Sequence, residues 1–351
     1  MPGDRVVWAV LACGAIVLVT EPLTIALLRR LSVIDEPSGR SSHSVPTPRG
    51  GGAPIAVGLL VAAALTPATG RAEVLAFLAA VGFFGLVGLL DDLRGLPAQL
   101  RLQLQAGGSA AVAVLLTGGL SLPLPARAVA ALAVLVWLAG FVNAFNFMDG
   151  VNGISGAHAL VGGLAYACLG EWRQDALMIT GGLATAVGAC AFLPWNAGLP
   201  WNTGRARVFL GDVGSYALGA ALAVLAACAI LRGVPFEAAA GPVALYLADT
   251  AWTLQRRIRR GERWLEAHRT HTYQRWCDAG LSHQEVTAVT AAATVLLCAL
   301  GMASLVASTP TRMTADLAGI GLLAAYLGSP RVLARIGKRP GGHVATAEQG
   351  A

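Results

Sequence analysis

Eleven runs of apolar residues, set apart by short polar stretches, account for most of the chain: 6–28, 53–68, 73–90, 103–119, 126–147, 154–170, 174–193, 208–230, 236–254, 285–308 and 314–328. An α-helix needs roughly 20 apolar residues to cross the hydrocarbon core of a bilayer, and these runs approach or reach that length. The pattern predicts an all-α, polytopic integral membrane protein with 10–11 transmembrane helices. No internal repeat interrupts it, so residues 1–339 read as a single transmembrane domain. The polar, glycine-containing stretch at 340–351 reads as a disordered tail. The first run is long, lacks a convincing cleavage site and is followed by ten more, which marks it as a retained helix rather than a signal peptide.

Composition points the same way. Hydrophobic residues make up 56% of the chain and charged residues 13%, outside the usual range of a soluble domain. The lipid bilayer is therefore the expected partner surface, and nucleic acid is not. The six cysteines, at 13, 168, 190, 228, 277 and 298, form no C-x-x-C pair and no metal-ligand spacing; they read as small core residues.

Basic residues sort the loops. If the eleven runs alternate in direction, one side of the membrane receives nineteen of the arginines and lysines and the other six. Cytoplasmic loops carry the excess, so the amino terminus is expected outside and the carboxyl terminus in the cytosol. The unusual polar clusters fall on that same cytosolic side: 35–54, 88–105, 143–156, 201–216, 246–257 and 266–276. A transporter is expected to bury its substrate-binding acids near the midplane and to show repeat symmetry; here the polar groups crowd one face, which favours a site opening to the cytosol.

That site is rich in acids. Asp91 and Asp92 end the third run, Asp149 ends the fifth, Asp212 begins the eighth and Asp249 lies near the end of the ninth. Aspartate at the centre of a membrane helix costs about 2.5–3.5 kcal/mol on the insertion scale, so such residues face protein or water and tend to have a task. For any one of them a solvated helix end remains an alternative. Carboxylates beside arginines suit a magnesium-assisted phosphate reaction, because Mg²⁺ takes one or two protein carboxylates and shares its remaining positions with water and phosphates. Arginine forks then neutralise the other phosphate oxygens. Zinc fits less well: His268 and His271 would share a helix face at i and i+3, with no H-E-x-x-H pattern and no thiol beside them.

The segment NAFNFMDGVNGISG, residues 143–156, places Asn143, Asn146, Asp149 and Asn152 at steps of three. On an α-helix four such residues fan over about half the circumference, which suits the wall of a polar cavity. Gly150, Gly153 and Gly156 permit either a broken backbone lining that cavity or close helix packing. Glu21, inside the first run, belongs to no motif and is assigned to a structural hydrogen bond.

Six fragments in order, RSSHSVPTPRGGG, DDLRGL followed by Arg101 and Gln105, NAFNFMDGVNG, FLGDVGS, ADT and HRTHTYQR, resemble the successive cytosolic motifs of the polyprenyl-phosphate N-acetylhexosamine-1-phosphate transferases, the glycosyltransferase 4 family. The resemblance implies transfer of a sugar 1-phosphate from a UDP-N-acetylamino sugar to undecaprenyl phosphate or another polyprenyl phosphate, with release of UMP, at the cytosolic face of a bacterial cytoplasmic membrane. It implies Mg²⁺, with Mn²⁺ as a substitute, held by Asp212 and Asn146. Arg101 and Arg275 would lie against the diphosphate, Phe209 would stack on uracil, Asn152 would sit near the nucleotide and His271 near the diphosphate or sugar. Asp91, Asp92 and Asp149 are the candidate catalytic acids, as base, as part of the lipid-phosphate site or as a nucleophile.

Interface packing remains an alternative for Phe209, a surface hydrogen bond for His271 and plain packing for His43. The resemblance is compatible with a homodimer. Two routes stay open: direct attack of the lipid phosphate on the sugar-bearing phosphorus, and a two-step route through an aspartyl-phosphosugar. The absence of consecutive histidines in HRTHTYQR, and a first motif that reads TPRGGG, point away from a muramyl-pentapeptide donor and toward the enzymes that start O-antigen or teichoic-acid linkage synthesis. Asn152 stands where relatives carry a second acid in a DGxDG pattern.

Overall fold

Each apolar run coincides with a helix. The computed structural model describes residues 2–37, 45–66, 70–198, 205–262 and 268–336; His43 and the 340–351 tail lie outside them. Within these residues the order is α1 (Pro2–Arg30), β1 (Ile34–Asp35), β2 (Thr47–Pro48), α2 (Ala53–Leu65), α3 (Arg71–Arg94), α4 (Ala98–Thr117), α5 (Leu124–Phe147), α6 (Ile154–Arg173), α7 (Ala176–Asn196), α8 (Gly211–Leu231), α9 (Phe236–Arg259), α10 (Thr272–Asp278), α11 (His283–Ala303) and α12 (Thr309–Ile336). Six of the helices, α1, α3, α5, α7, α8 and α11, are long and apolar enough to cross a membrane, and α2 is a shorter apolar helix. The chain is an all-α membrane protein whose only described strands are the two-residue antiparallel pair β1 and β2.

Local sequence sets the helix ends. Asp175 caps α7 by accepting the N–H of Met178 at 2.9 Å. At α11, Ser282 Oγ accepts the N–H of Glu285 while Glu285 Oε2 accepts the N–H of Ser282, a reciprocal cap read directly from S-H-Q-E. Proline stands just before α5 and α9, where its missing N–H is harmless.

Helix α8 is the pillar. It is apolar all round and nearly every residue is buried, as a helix surrounded by protein requires; α2, α3, α5, α6, α7 and α9 pack around it. Gly88 of α3 lies so close to the Asp212 backbone that a Cβ there would overlap its carbonyl. That contact brings the carboxyl end of α3 against the amino end of α8. At the opposite end of the bundle Arg232 bridges Glu73 at 3.0 Å and Asp175 at 3.2 Å, tying α3, α7 and α8 together.

Three expectations need correction. Glu21 is fully buried, yet neither carboxylate oxygen has a hydrogen-bond partner among the described residues; it faces the Gly51 backbone with Val208 and Phe192 close by, and the two side chains have no donor to give. Cys13, Cys228 and Cys298 are core residues, but Cys168 and Cys190 are exposed on the bundle surface. His268 lies outside the helices, before α10, and His271 is the residue capping α10, so the two do not share a helix face, although their rings do stack, 4.9 Å apart.

Candidate active site

At the end of the bundle where α3 stops, α4 and α8 start and α5 ends, five polar side chains meet. The two adjacent acids of α3 have different partners. Asp91 Oδ1 accepts the N–H of Leu96 and its Oδ2 accepts Arg101 Nη1, both at 2.7 Å. Asp92 turns to α8: Oδ1 accepts the N–H of Asp212 and Oδ2 the N–H of Val213, each at 3.0 Å. A carboxylate on the first free amides of a helix satisfies orphan donors and opposes the helix dipole. Arg49 completes this corner by donating to the Asp92 carbonyl at 3.1 Å, with its Nε 3.7 Å from Asp92 Oδ1.

Asp212 is placed by that corner. Gly211 before it has φ +73°, a left-handed turn that favours glycine, and a Cβ there would stand 2.6 Å from Asp92 Oδ2. Asn146 of α5 donates its amide to Asp212 Oδ1 at 2.6 Å and to Ser215 Oγ at 2.9 Å. Asp91 and Arg101 lie near enough to interact with the Asp212 carboxylate. Among the described residues, however, no arginine, lysine or histidine forms an ion pair with it. Asp91 and Asp92 each have an arginine; Asp212 has an amide.

A carboxylate left without a cation, beside a second acid and an amide, is a donor set for Mg²⁺, which prefers oxygen ligands and keeps positions for water and phosphate. Among the described residues no group of three or more His, Cys, Asp or Glu is gathered as a self-sufficient metal site. The residues present could hold an ion shared with phosphate oxygens, with Asp212 as the carboxylate that has no cation among the described residues. Asn146 could offer its oxygen only with the amide turned over from the orientation in which it donates to Asp212 and Ser215.

The 143–156 segment joins this corner to the rest of the site. Asn143 and Asn146 lie on α5, but the helix ends at Phe147, so Asp149 and Asn152 occupy a loop instead of continuing the fan expected of one helix. Tertiary contacts impose the break. Tyr273 of α10 donates to the Phe147 carbonyl at 3.0 Å, the Gly153 N–H donates to Asn196 Oδ1 at 2.7 Å, and Thr287 of α11 donates to the Asn152 carbonyl at 2.9 Å. Gly150 faces the Tyr273 hydroxyl so closely that a Cβ would overlap it, and Gly153 has φ +84°. Both readings of the glycines hold: the backbone breaks at Gly153, and Gly156 packs tightly against Leu193 of α7. Asn143 donates to Gln105 Oε1 at 2.6 Å, linking α5 to α4.

Asp149 is half-buried by surface area yet closely surrounded by protein. Burial pushes its carboxyl up to about 7, with Asp92 adding a smaller upward push against a lowering by Ser155.

Across this loop stands the histidine pair. His271 Nδ1 lies 3.3 Å from Asp249 Oδ1, and its ring stacks on His268 and Tyr273, with Phe147 tilted against it. Burial, then the neighbouring His271, lowers the His268 pKa to about 4, so His268 is neutral at physiological pH. Arg256 donates to the Thr270 carbonyl. Arg275, half-buried on α10, has no partner for its guanidinium among the described residues.

Phe209 is half-buried and fixed by its backbone: its N–H donates to the Pro48 carbonyl at 2.8 Å and its carbonyl accepts the Gly51 N–H at 2.9 Å. The strand-like Arg49–Phe209 bridge thereby stitches the first polar stretch to FLGDVGS.

The structure thus joins Asp91, Asp92, Arg101, Asn146 and Asp212 in one cluster. Phe209 is attached through Arg49. The 147–153 loop links the cluster to Asn152, His271 and Arg275, and Asn152 is held by its backbone. Sequence reading gave no role to Arg49, Gln105 or Tyr273. The first two stand inside the motifs quoted above and were legible as polar residues there; Tyr273 had only its place in HRTHTYQR, and its contact crosses from α10 to the end of α5.

Comparison with known proteins bears on what this arrangement serves. Residues 74–230 match the family model described as glycosyl transferase family 4. A decaprenyl-phosphate N-acetylglucosaminephosphotransferase of Mycobacterium leprae is 30% identical over 299 residues, covering 74% of each chain. A probable undecaprenyl-phosphate N-acetylglucosaminyl 1-phosphate transferase of Bacillus subtilis is 24% identical over 292 residues, 80% of this chain and 79% of the relative. A phospho-N-acetylmuramoyl-pentapeptide-transferase of Symbiobacterium thermophilum is 33% identical over 251 residues, 63% of this chain and 73% of that one.

Proposed function

This chain belongs to glycosyl transferase family 4, and from that membership we propose that it transfers an N-acetylamino-sugar 1-phosphate from a UDP-sugar to a polyprenyl phosphate, releasing UMP and starting a cell-envelope glycan. The observation that carries the reading is the Asp212 carboxylate, half-buried beside Asp91 and Asn146 with no cationic partner among the described residues. The Bacillus subtilis and Mycobacterium leprae relatives, named for N-acetylglucosamine transfer, match over 80% and 74% of this chain, against 63% for the Symbiobacterium thermophilum muramyl-pentapeptide relative. With the missing histidine run, that favours UDP-N-acetylglucosamine or a related UDP-N-acetylhexosamine as donor.

Bound at Asp212, Mg²⁺ would neutralise diphosphate charge and hold the two phosphates in a reactive geometry. The chain's own residues do the rest. Arg101, steered by Asp91, and Arg275 bind phosphate oxygens; Phe209 offers a ring face to uracil; Asn152 lies by the nucleotide and His271 by the diphosphate or sugar. Asp92 holds the start of α8 and so aims Asp212.

The lipid phosphate is already ionised near neutral pH, so positioning and charge neutralisation lower most of the barrier. Direct in-line attack by a lipid-phosphate oxygen on the sugar-bearing phosphorus is favoured over a covalent intermediate, because both carboxylate oxygens of Asp91 and of Asp92 are engaged. Asp149 is the acid left to act as base or nucleophile.

The nineteen-to-six partition of basic residues supports a site on the cytosolic face of a bacterial cytoplasmic membrane, with the amino terminus outside. Membranes carrying the protein, given labelled UDP-N-acetylglucosamine, polyprenyl phosphate and Mg²⁺, should move label into the lipid phase and release UMP. Failure with every UDP-N-acetylamino sugar offered would overturn the reading.

A further inference from the structure

Outside the phosphate-binding cluster, one buried carboxylate gathers more donors than any helix end requires. Asp249 of α9 is fully buried. Its Oδ2 accepts the Tyr326 hydroxyl at 2.8 Å and the Thr272 N–H at 3.1 Å. Its Oδ1 accepts Thr253 Oγ1 at 3.2 Å and the Thr272 N–H at 3.0 Å, and faces His271 Nδ1 at 3.3 Å.

Tyr326 comes from α12, the last of the described helices. That helix also meets α10, where Trp276 packs edge-on against the Tyr326 ring at 5.0 Å and donates Nε1–H to Ser329 Oγ at 2.7 Å. From these contacts we infer that Tyr326 is a positioning residue for the transfer, acting through Asp249 on His271. The inference rests on the reading of His271 as a group beside the donor's diphosphate or sugar.

The physical argument is one of freedom removed. A carboxylate with a single partner can rotate about its χ2 bond, and a histidine leaning on it turns with it. Asp249 cannot rotate, because its two oxygens are held from α9, α10 and α12 at once. With Nδ1 fixed against the carboxylate, the imidazole plane is set and Nε2 is directed away from Asp249. Among the described residues Tyr326 is the restraint that α12 supplies, so that helix bears on the ring through Asp249.

Tyr326→Phe keeps the packing and deletes the hydroxyl. Steady-state kinetics in detergent should show kcat/KM for the UDP-sugar falling about tenfold and KM for polyprenyl phosphate unchanged, with the thermal transition lowered by the lost buried hydrogen bond but the protein still folded at the assay temperature. Combined with His271→Gln, it should add nothing to the loss that His271→Gln causes alone. Thr253→Val, which removes another Asp249 donor, should reproduce the donor-specific loss and serves if Tyr326→Phe does not fold. A Tyr326→Phe enzyme with normal donor kinetics beside a defective His271→Gln enzyme, or losses that add in the double variant, would overturn the inference alone. Normal kinetics for His271→Gln in an enzyme that still transfers would overturn the reading of His271 and the inference with it.

Discussion

Asp92 accepts the backbone N–H of Asp212 at 3.0 Å. The second of the paired acids on α3 therefore builds the start of the helix whose first acid is the proposed metal ligand. This contact separates two roles that adjacency in sequence merges: Asp91 orients an arginine, and Asp92 orients a helix. Asp92→Ala should destabilise the protein by about 1–2 kcal/mol, the usual scale for losing a helix cap, and its residual activity should track the folded fraction in detergent melting. Lost turnover with an unchanged melting transition would instead make Asp92 a group in the chemistry.

Asp212→Asn should leave the fold intact, since Asn146 and the α8 amides keep partners, while turnover drops by on the order of 10²–10³ or more, the scale for losing a preorganised electrostatic group. Raising Mg²⁺ should not restore it. Asn146→Ala should be milder and should increase the Mg²⁺ concentration needed for half-maximal rate; an unchanged metal titration would remove Asn146 from the ion's surroundings.

Asp149 gives a pH dependence of definite sign. Its carboxyl is raised from 3.8 to about 7 by burial, so between those values the folded chain keeps a proton that the unfolded chain has released. Stability contributed by this group is complete below about pH 4, declines as pH rises toward 7 and is gone above it. Asp149→Asn should therefore melt progressively higher relative to the parent as pH goes from 5 to 8. If Asp149 must be ionised for transfer, kcat/KM of the parent should rise across pH 7.

Gly150→Ala should be severe for one methyl group. The new Cβ would overlap the Tyr273 hydroxyl and force it from the Phe147 carbonyl, parting α10 from the end of α5. Overpacking of this kind costs about 1–3 kcal/mol, and His271 beside Tyr273 should lose its place. Gly107→Ala, where a Cβ meets open space in the interior of α4, is the control: it should melt no lower than the parent, since alanine is the better helix former, and turn over as the parent does.

At the far end of the bundle, Arg232→Ala removes the bridges to Glu73 and Asp175. These groups are partly exposed, so the loss should be about 0–1 kcal/mol with turnover unchanged. A large fall in turnover would mean that the two ends of α8 are coupled.

The helices, and the polar residues of the candidate site, were legible along the chain. Apolar run length is a local property, and each of the eleven runs became a helix; six of those helices are long and apolar enough to cross a membrane, where a backbone has to satisfy its own hydrogen bonds. The acids, arginines and glycines were legible for a related reason: in so apolar a chain any cluster of them stands out. Tertiary structure alone decided who partners whom. Asn143 to Asn152 read as one helical fan, but Tyr273, Asn196 and Thr287 claim the backbone after Phe147 and break it into a loop. Glu21 was given a hydrogen bond that its apolar neighbours cannot supply. Tyr326 carried no signal, since an aromatic near a helix end is ordinary until Asp249, 77 positions earlier, is found against it. Hydrogen bonds between helices depend on packing distances that no local pattern encodes, so the residues of the site could be named from the chain while its geometry came only with the fold.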